Sequence, residues 1–275
     1  GYTAGSDTQG SRAVAIGYQA GKTTQGTEAV AIGNYAGRTS QGRTAVAIGE
    51  DAGFLNQGVD AVAIGSGAGY DTQGEEAVAI GWWAGNEDQG TYAVAVGNSA
   101  GQSDQGADAV AVGGRAGATS QGAEAVAIGH RAGNDGTTVT ATVVAVLDAT
   151  VIAVDSAVGL IPGMIISGTG FTSKQTIVSI GGANSVTISA AADSAPSGTL
   201  TFTMGQGTRA IAIGGSAGKT SQARNSIAIG LEAGKTTQST DAIALGVYAG
   251  KTTQGASAVA IGMNAADDTQ GTRAV

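Results

Sequence analysis

The chain has 275 residues, of which 48 are glycine, while only 4% are aromatic and 12% are charged. So few large side chains do not fill the core of an ordinary globular domain, and glycine without a three-residue period excludes collagen. A net charge of −8 without a run of Lys or Arg argues against nucleic-acid binding, and the absence of cysteine excludes disulfides and thiolate metal sites.

The dominant feature of the sequence is a repeat with a fixed period. The segment Ala-Val-Ala-Ile-Gly that begins at Ala13 returns at Ala29 and then at the same spacing up to Ala125, and it resumes at this spacing from Ala210. The unit reads Ala-[Val/Ile]-Ala-[Ile/Val/Leu]-Gly-x-x-Ala-Gly-x-x-x-Gln-Gly-x-x, and its positions are numbered 1–16 from the first alanine. A fixed period of this length is typical of a solenoid, in which one coil stacks on the next.

Each unit predicts two short strands and three corners. Valine or isoleucine at positions 2 and 4 alternates with alanine at positions 1 and 3, so the larger side chains share one face of a strand. Gly17, Ala20-Gly21 and Gln25-Gly26 supply the corners. We therefore expect an all-β fold, a parallel β-roll or β-solenoid of 16-residue coils spaced by about 4.8 Å. The residues predicted to form its core are Val14, Ile16, Val30, Ile32, Val46 and Ile48.

A glutamine occupies position 13 throughout the repeats. In a stacked coil, each side-chain amide can donate to the copy in one neighbouring coil and accept from the copy in the other. We interpret these residues as a structural ladder rather than a binding site. Its predicted members are Gln25, Gln41, Gln57, Gln73, Gln89, Gln105 and Gln121.

The small face of the repeat predicts self-association. Burying one valine and one isoleucine per coil returns much less free energy than ordering the backbone of a whole coil costs. The face made of alanine and glycine is small enough for backbones to approach closely. We therefore expect several chains to pack side by side, as a homotrimer.

A long insertion interrupts the repeat. The segment 134–205 stands between Gly133 and Gln206, where the other copies have only positions 10 to 12. The inserted segment reads as short β-strands and contains both prolines of the chain, Pro162 and Pro196. The predicted organisation is solenoid repeats at 1–133, an inserted β-sandwich-like module at 134–205, and continued solenoid repeats at 206–275.

Exposed aromatic residues are the candidate binding groups. Rings presented on a rigid surface commonly contact sugars or protein partners, so a host-cell surface glycan or protein is a possible ligand. An alternative stays open, in which the rings cover a groove between chains or pack on a neighbouring coil. These residues, at positions 6 and 7, are Tyr18, Tyr35, Trp82, Trp83 and Tyr248.

No catalytic, cofactor-binding or metal-binding residues are predicted, and the chain is not expected to be an enzyme. His130 is the one histidine, and adjacent acids such as Glu50-Asp51 are interpreted as a solvated face. No stretch approaches the length of the uninterrupted apolar run that a transmembrane helix needs, so we expect no membrane insertion in this segment.

The motif Ala-Val-Ala-Ile-Gly followed by Ala-Gly resembles the head repeats of YadA-type trimeric autotransporter adhesins. That family forms a left-handed parallel β-roll in a trimer, so the resemblance implies the same fold here. The 16-residue version with Gln-Gly also resembles repeats in phage tail fibres and in giant-virus surface proteins. The resemblance covers residues 1–133 and 206–275 and implies an extracellular location, on a virion or a bacterial cell.

Three functional hypotheses follow. The first is a structural and attachment fibre segment, an adhesin of the virion or phage tail-fibre type, that gives rigid length and binds surfaces. The second is the head of a bacterial trimeric autotransporter adhesin. The third is an ice-binding solenoid, because Thr23-Thr24 and Thr236-Thr237 occupy equivalent positions.

Overall fold

The strands of this chain belong to two separate units. The computed structural model describes residues 1–134, 137–148, 150–157, 160, 164–181 and 184–275, and all regular structure within them is β. One unit comprises Gly1–Asp135 and Gln206–Val275, and the other is Gly136–Gly205. The first unit is a parallel β-solenoid of stacked 16-residue coils, which confirms the predicted fold class.

The strands follow the repeat. Before the insertion, a strand at positions 2–4 alternates with one at positions 11–13: β1 Val14–Ile16, β2 Thr23–Gln25, β3 Val30–Ile32, β4 Thr39–Gln41, β5 Val46–Ile48, β6 Leu55–Gln57, β7 Val62–Ile64, β8 Asp71–Gln73, β9 Val78–Ile80, β10 Glu87–Gln89, β11 Val94–Val96, β12 Ser103–Gln105, β13 Val110–Val112, β14 Thr119–Gln121 and β15 Val126–Ile128. The second unit contains β16 Thr137–Asp148, β17 Val151–Val154, β18 Ile165–Gly168, β19 Phe171–Gly181, β20 Ser185–Ile188 and β21 Thr199–Met204. The solenoid resumes with β22 Ile211–Ile213, β23 Ser221–Gln222, β24 Ile227–Ile229, β25 Thr237–Gln238, β26 Ile243–Leu245, β27 Thr253–Gln254, β28 Val259–Ile261 and β29 Thr269–Gln270.

The strands at positions 2–4 form one continuous parallel sheet of 12 strands. Every residue pairs with its own copy in the next coil, as Val14 does with Val30. The register continues across the insertion, because β15 pairs directly with β22 and Val126 lies opposite Ile211. The inserted segment therefore leaves the ladder of the solenoid unbroken.

The interior of the solenoid is lined by alanine, which corrects the predicted core. The alanines at positions 3 and 8 from Ala20 to Ala249 are fully buried. Val14, Ile16 and Ile48 are 39%, 56% and 36% exposed, and Val30, Ile32 and Val46 are half-buried. The prediction that these six valines and isoleucines form the core of the chain is wrong, since they face outward.

The tight corners of the coil explain why alanine, rather than valine or isoleucine, faces the interior. An added Cβ at Gly85, at position 9, would lie 2.7 Å from the side chain of Gln89. An added Cβ at Gly81, at position 5, would lie 2.6 Å from the carbonyl oxygen of Gly97 in the next coil. Side chains and backbone are thus already in contact across the coil and between coils, and the interior has room for methyl groups but not for branched chains.

Gly85→Ala is expected to lower the free energy of unfolding by about 2 kcal/mol or more. Gly85 has a φ of 50°, a conformation that costs other residues roughly 1–2 kcal/mol, and the new methyl group would also displace Gln89. Urea unfolding measures the change. Asn98→Ala, at an exposed corner without this conformation, is the control; equal effects of both substitutions would contradict the steric explanation.

The second unit is a closed antiparallel barrel in the order β16-β17-β20-β19-β18-β21. Its interior contains large apolar side chains, including Phe202, Met164, Ile152, Ile177 and Leu200, all at most 2% exposed. The sequence predicts a sandwich-like module, whereas the strands close into a single barrel because β21 pairs with both β16 and β18. This unit therefore has its own core of a kind that the alanine-lined solenoid lacks.

Replacing residues 134–205 by Ala-Thr-Ser, the residues at 118–120, is expected to leave the solenoid folded. The β15–β22 pairing already provides the ladder on both sides of the deletion. The midpoint of thermal unfolding should shift by less than about 4 °C, which corresponds to ~1 kcal/mol for a chain of this size. Circular dichroism provides the measurement, and loss of cooperative unfolding would show that the solenoid depends on the inserted unit.

Candidate functional site

The glutamines at position 13 form a buried hydrogen-bonded row inside the solenoid. The amide nitrogen Nε2 of Gln89 donates to the carbonyl oxygens of Val78 and Ala93, at 2.9 and 3.2 Å. It also lies 3.1 Å from Oε1 of Gln105 in the next coil. The side chain is only 2% exposed. Each such amide thus links its own coil to the next. It also donates hydrogen bonds to backbone carbonyl oxygens inside the apolar interior.

The row extends through the insertion but not to the first coils. Gln121 donates to Gln206 at 3.1 Å, so the side-chain bonds continue on the far side of the inserted unit. Gln25 donates to the carbonyl oxygen of Val14 at 2.8 Å, but the buried Oε1 atoms of Gln25 and Gln41 have no hydrogen-bond partner. Of the seven predicted ladder residues, Gln25 therefore bonds to the backbone alone, and the side-chain row begins at Gln41.

Gln89→Glu is expected to destabilise the protein in a pH-dependent manner. A buried carboxylate loses the bonds donated by the amide, and burial raises the pKa of such a group above its unfolded value of about 4.3. Below about pH 4.3 the protonated acid still donates one hydrogen bond, so the decrease in the free energy of unfolding is small. The decrease grows as pH rises, to roughly 3 kcal/mol at pH 7. Denaturant unfolding at pH 4 and pH 7 checks the sign, and exposed Asn98→Asp should show no such trend.

The outward face of the 12-stranded sheet is an uninterrupted aliphatic strip. Positions 2 and 4 hold only valine, isoleucine or leucine in all strands of this sheet from β1 to β28, and we call these residues the outward strip. Ile80, Ile128 and Ile229 are 37%, 38% and 39% exposed. Twelve strands spaced by about 4.8 Å give a length of ~50 Å, and strands of three residues give a width of roughly 10 Å. An apolar patch of about 500 Å² is in the upper part of the range of the largest patches on ordinary monomers, and such patches often bind a partner.

Three of the predicted receptor contacts have their rings engaged within the chain. The ring of Tyr18 lies 5.8 Å from that of Tyr2 and 5.3 Å from that of Tyr35. The guanidinium of Arg38 lies 5.6 Å from the centre of the Tyr35 ring. The amine of Lys251 lies 4.7 Å from the ring centre of Tyr248. This geometry favours the alternative that Tyr18 and Tyr35 pack on neighbouring coils, whereas Tyr248 contacts a lysine of its own coil. A receptor role for the three tyrosines stays a prediction.

Tyr18 and Tyr35 belong to a longer row of rings that the sequence did not predict. Phe54 lies 6.1 Å from Tyr35, and Tyr70 stacks on Phe54 at 4.8 Å. Both occupy position 10, so the row runs diagonally from position 6 to position 10 over the first five coils. Burial among these rings, together with the nearby Tyr18, raises the pKa of Tyr35. The repeat numbering places these residues at positions 6, 7 and 10, but it does not show that their rings are in contact.

Trp82 and Trp83 form a stacked pair with substantial exposure. Their ring centres are 5.0 Å apart at an angle of 15°, and the residues are 50% and 41% exposed. An added Cβ at Gly67 would lie 2.6 Å from the indole of Trp83, so glycine at this position makes room for the ring. The pair borders the outward strip, because only Gly81 separates Trp82 from Ile80.

Within the described residues, no three or more His, Cys, Asp or Glu side chains are grouped so as to hold a metal ion. The same part of the chain contains no helix of the length and hydrophobicity needed to cross a membrane. The carboxyl group of Asp51 has a raised pKa, because it is partly buried and lies near Glu50. The outward strip and the adjacent Trp82 and Trp83 are therefore the features on which a functional proposal rests.

The chain is a repetitive β-solenoid of stacked 16-residue coils that presents the outward strip along one sheet. A family model, the YadA head domain repeat, matches the chain twice, at residues 9–36 and 105–132. No curated protein and no solved structure matches the chain. The two matches and the stacked coils confirm the resemblance to YadA-like head repeats. That family forms structural, trimeric fibres on the cell surface.

Proposed function

We propose that this chain is a rigid segment of an extracellular, trimeric adhesin fibre and has no catalytic role. The single observation that carries the proposal is the outward strip, an aliphatic surface that runs the full length of the solenoid. A fibre of parallel chains would cover this strip along its whole length. The continuous 12-stranded sheet supports the rigidity of the segment, since each coil is bonded to both neighbours.

The size of the strip supports a stable assembly. Covering roughly 500 Å² of apolar surface per chain, at about 25 cal/mol per Å², stabilises the assembly by ~12 kcal/mol per chain before association entropy is subtracted. Polar groups at the rim add to the covered area, which brings each chain toward the ~800 Å² per partner of a specific interface. The strip in this protein consists of valine, isoleucine and one leucine, Leu245, rather than the alanine and glycine expected from the sequence.

The family likeness supports a bacterial surface adhesin, whose ligand would be a host-cell glycan or protein. The alternative of a virion or tail-fibre adhesin stays a prediction. An ice-binding role is less well supported, because the threonine columns contain acidic residues at equivalent positions: Asp71, Glu87, Asp88 and Asp104. A regular array of hydroxyl groups is therefore restricted to short stretches of the solenoid.

Light scattering tests the assembly. The wild-type chain is expected at three times its 26.4 kDa mass. Ile80→Asp with Ile128→Asp should yield a folded monomer, because charges in the strip cannot be desolvated at an interface. Asn56→Asp, at an exposed position of β6 in the other sheet, should leave the trimer intact. A wild-type chain that is monomeric at micromolar concentration would contradict the proposal.

Attachment is tested on glycan arrays and on immobilised extracellular-matrix proteins. The wild-type fibre is expected to bind at least ~10-fold more strongly than the Ile80→Asp/Ile128→Asp monomer, because three linked copies bind with avidity. Equal binding by the two proteins, or binding by neither, would contradict the adhesive part of the proposal while leaving the assembly unaffected.

A further inference from the structure

The two tryptophans and one tyrosine lie at opposite edges of the outward strip. Trp82 and Trp83 follow the carboxyl end of β9, and Tyr92 precedes the amino end of β11. These two strands are direct neighbours in the sheet, with Val94 opposite Val78. The indoles and the phenol therefore flank the strip at the same level, to within about one coil spacing of 4.8 Å.

This combination occurs in one coil of the solenoid. Tyr92 is the one aromatic residue at position 16, where the other coils have charged or small polar residues: Arg12, Glu28, Thr44, Asp60, Glu76, Asp108, Glu124, Arg209, Asn225, Asp241, Ser257 and Arg273. Trp82 and Trp83 are the only tryptophans of the chain and lie in that same coil. Tyr92 is 51% exposed, which is comparable to the exposure of the two tryptophans.

Rotational symmetry brings these two edges together. When parallel copies turn their strips toward a common axis along the fibre, the carboxyl edge of one sheet meets the amino edge of the next. This holds for a dimer as well as for a trimer. The residues at the position of Trp82 in the two neighbouring coils are the small Ser66 and Asn98, which leave space for an incoming ring, whereas the space beside Gly67 is filled by the indole of Trp83.

We propose that Trp82 and Trp83 of one copy clasp Tyr92 of the partner subunit and thereby fix the register of the fibre. The inference rests on the proposed side-by-side assembly. The outward strip repeats with every coil, so chains shifted by one coil would cover it almost as well. Exposed charge pairs such as Arg12–Glu28 discriminate weakly between the aligned and shifted arrangements. An aromatic cluster present in one coil discriminates strongly, because a shift leaves three large rings without partners.

Intrinsic fluorescence tests the contact, since the only tryptophans are Trp82 and Trp83. In the wild-type trimer, acrylamide quenching should be several-fold weaker than in the Ile80→Asp/Ile128→Asp monomer. Tyr92→Ala should raise quenching in the trimer, whereas Thr91→Ala should not. Equal quenching in trimer and monomer would overturn the clasp and favour tryptophans that are free to bind a glycan.

Cysteine cross-linking tests the register, because the chain has no native cysteine. Asn98→Cys with Asp108→Cys, the equivalents of Trp82 and Tyr92 one coil further on, reports aligned chains. Asn98→Cys with Glu124→Cys reports chains shifted by one coil. With the clasp intact, only the first pair should form covalent trimers under mild oxidation. Adding Trp82→Ala and Trp83→Ala should allow the second pair to cross-link as well.

The outcomes separate this inference from the proposed function. A trimer in which the Asn98→Cys/Asp108→Cys pair does not cross-link overturns the edge-to-edge arrangement. A cross-linking pattern unchanged by loss of the tryptophans overturns the register role. A wild-type chain that is monomeric by light scattering overturns the assembly itself, and the clasp with it.

Discussion

The structure depends on the stacking of identical residues at 16-residue intervals. Because each coil lies directly on the next, a residue that fits one coil must also fit against its own copy above and below. The interior is the strictest case of this constraint. It admits a methyl group at positions 3 and 8 and one extended amide at position 13, whose nitrogen bonds to Val78 and Ala93 in the case of Gln89. Larger side chains are therefore displaced to the outside.

This displacement links the fold to the proposed role. A globular protein uses valine and isoleucine to fill its core, but this solenoid places them on its surface as the outward strip. The single chain is stabilised by backbone ladders, buried alanines and amide bonds, and its largest apolar surface remains available to other chains. Association would then supply the hydrophobic burial that the interior of the coil is too narrow to provide. Rigidity and self-association would thus have the same physical origin.

The same regularity allows the solenoid to accept an insertion at one of its corners. Arg209, after the insertion, forms an ion pair with Glu124, before it, at 2.9 Å. Glu124 has a lowered pKa because Arg209 hydrogen-bonds to its carboxylate, as expected for adjacent coils. The inserted unit builds its own core around Phe202 and Met164, with residue sizes that the solenoid interior excludes. A repetitive solenoid can therefore contain a second unit at a corner while its strands keep their pairing register.

The sequence by itself determined the period, the parallel stacking, the position of the glutamine row and the location of the insertion. These features follow from residue identity at fixed spacing, as with Val14 over Val30. Only the tertiary structure decided which face of the strand is inside, because both faces are apolar and alternation gives no preference between Ala31 and Ile32. The corners determine the volume of the interior, and alanine is small enough to fit that volume. Contacts between rings at different repeat positions, as between Tyr35 and Phe54, likewise depend on how the coil is shaped in three dimensions.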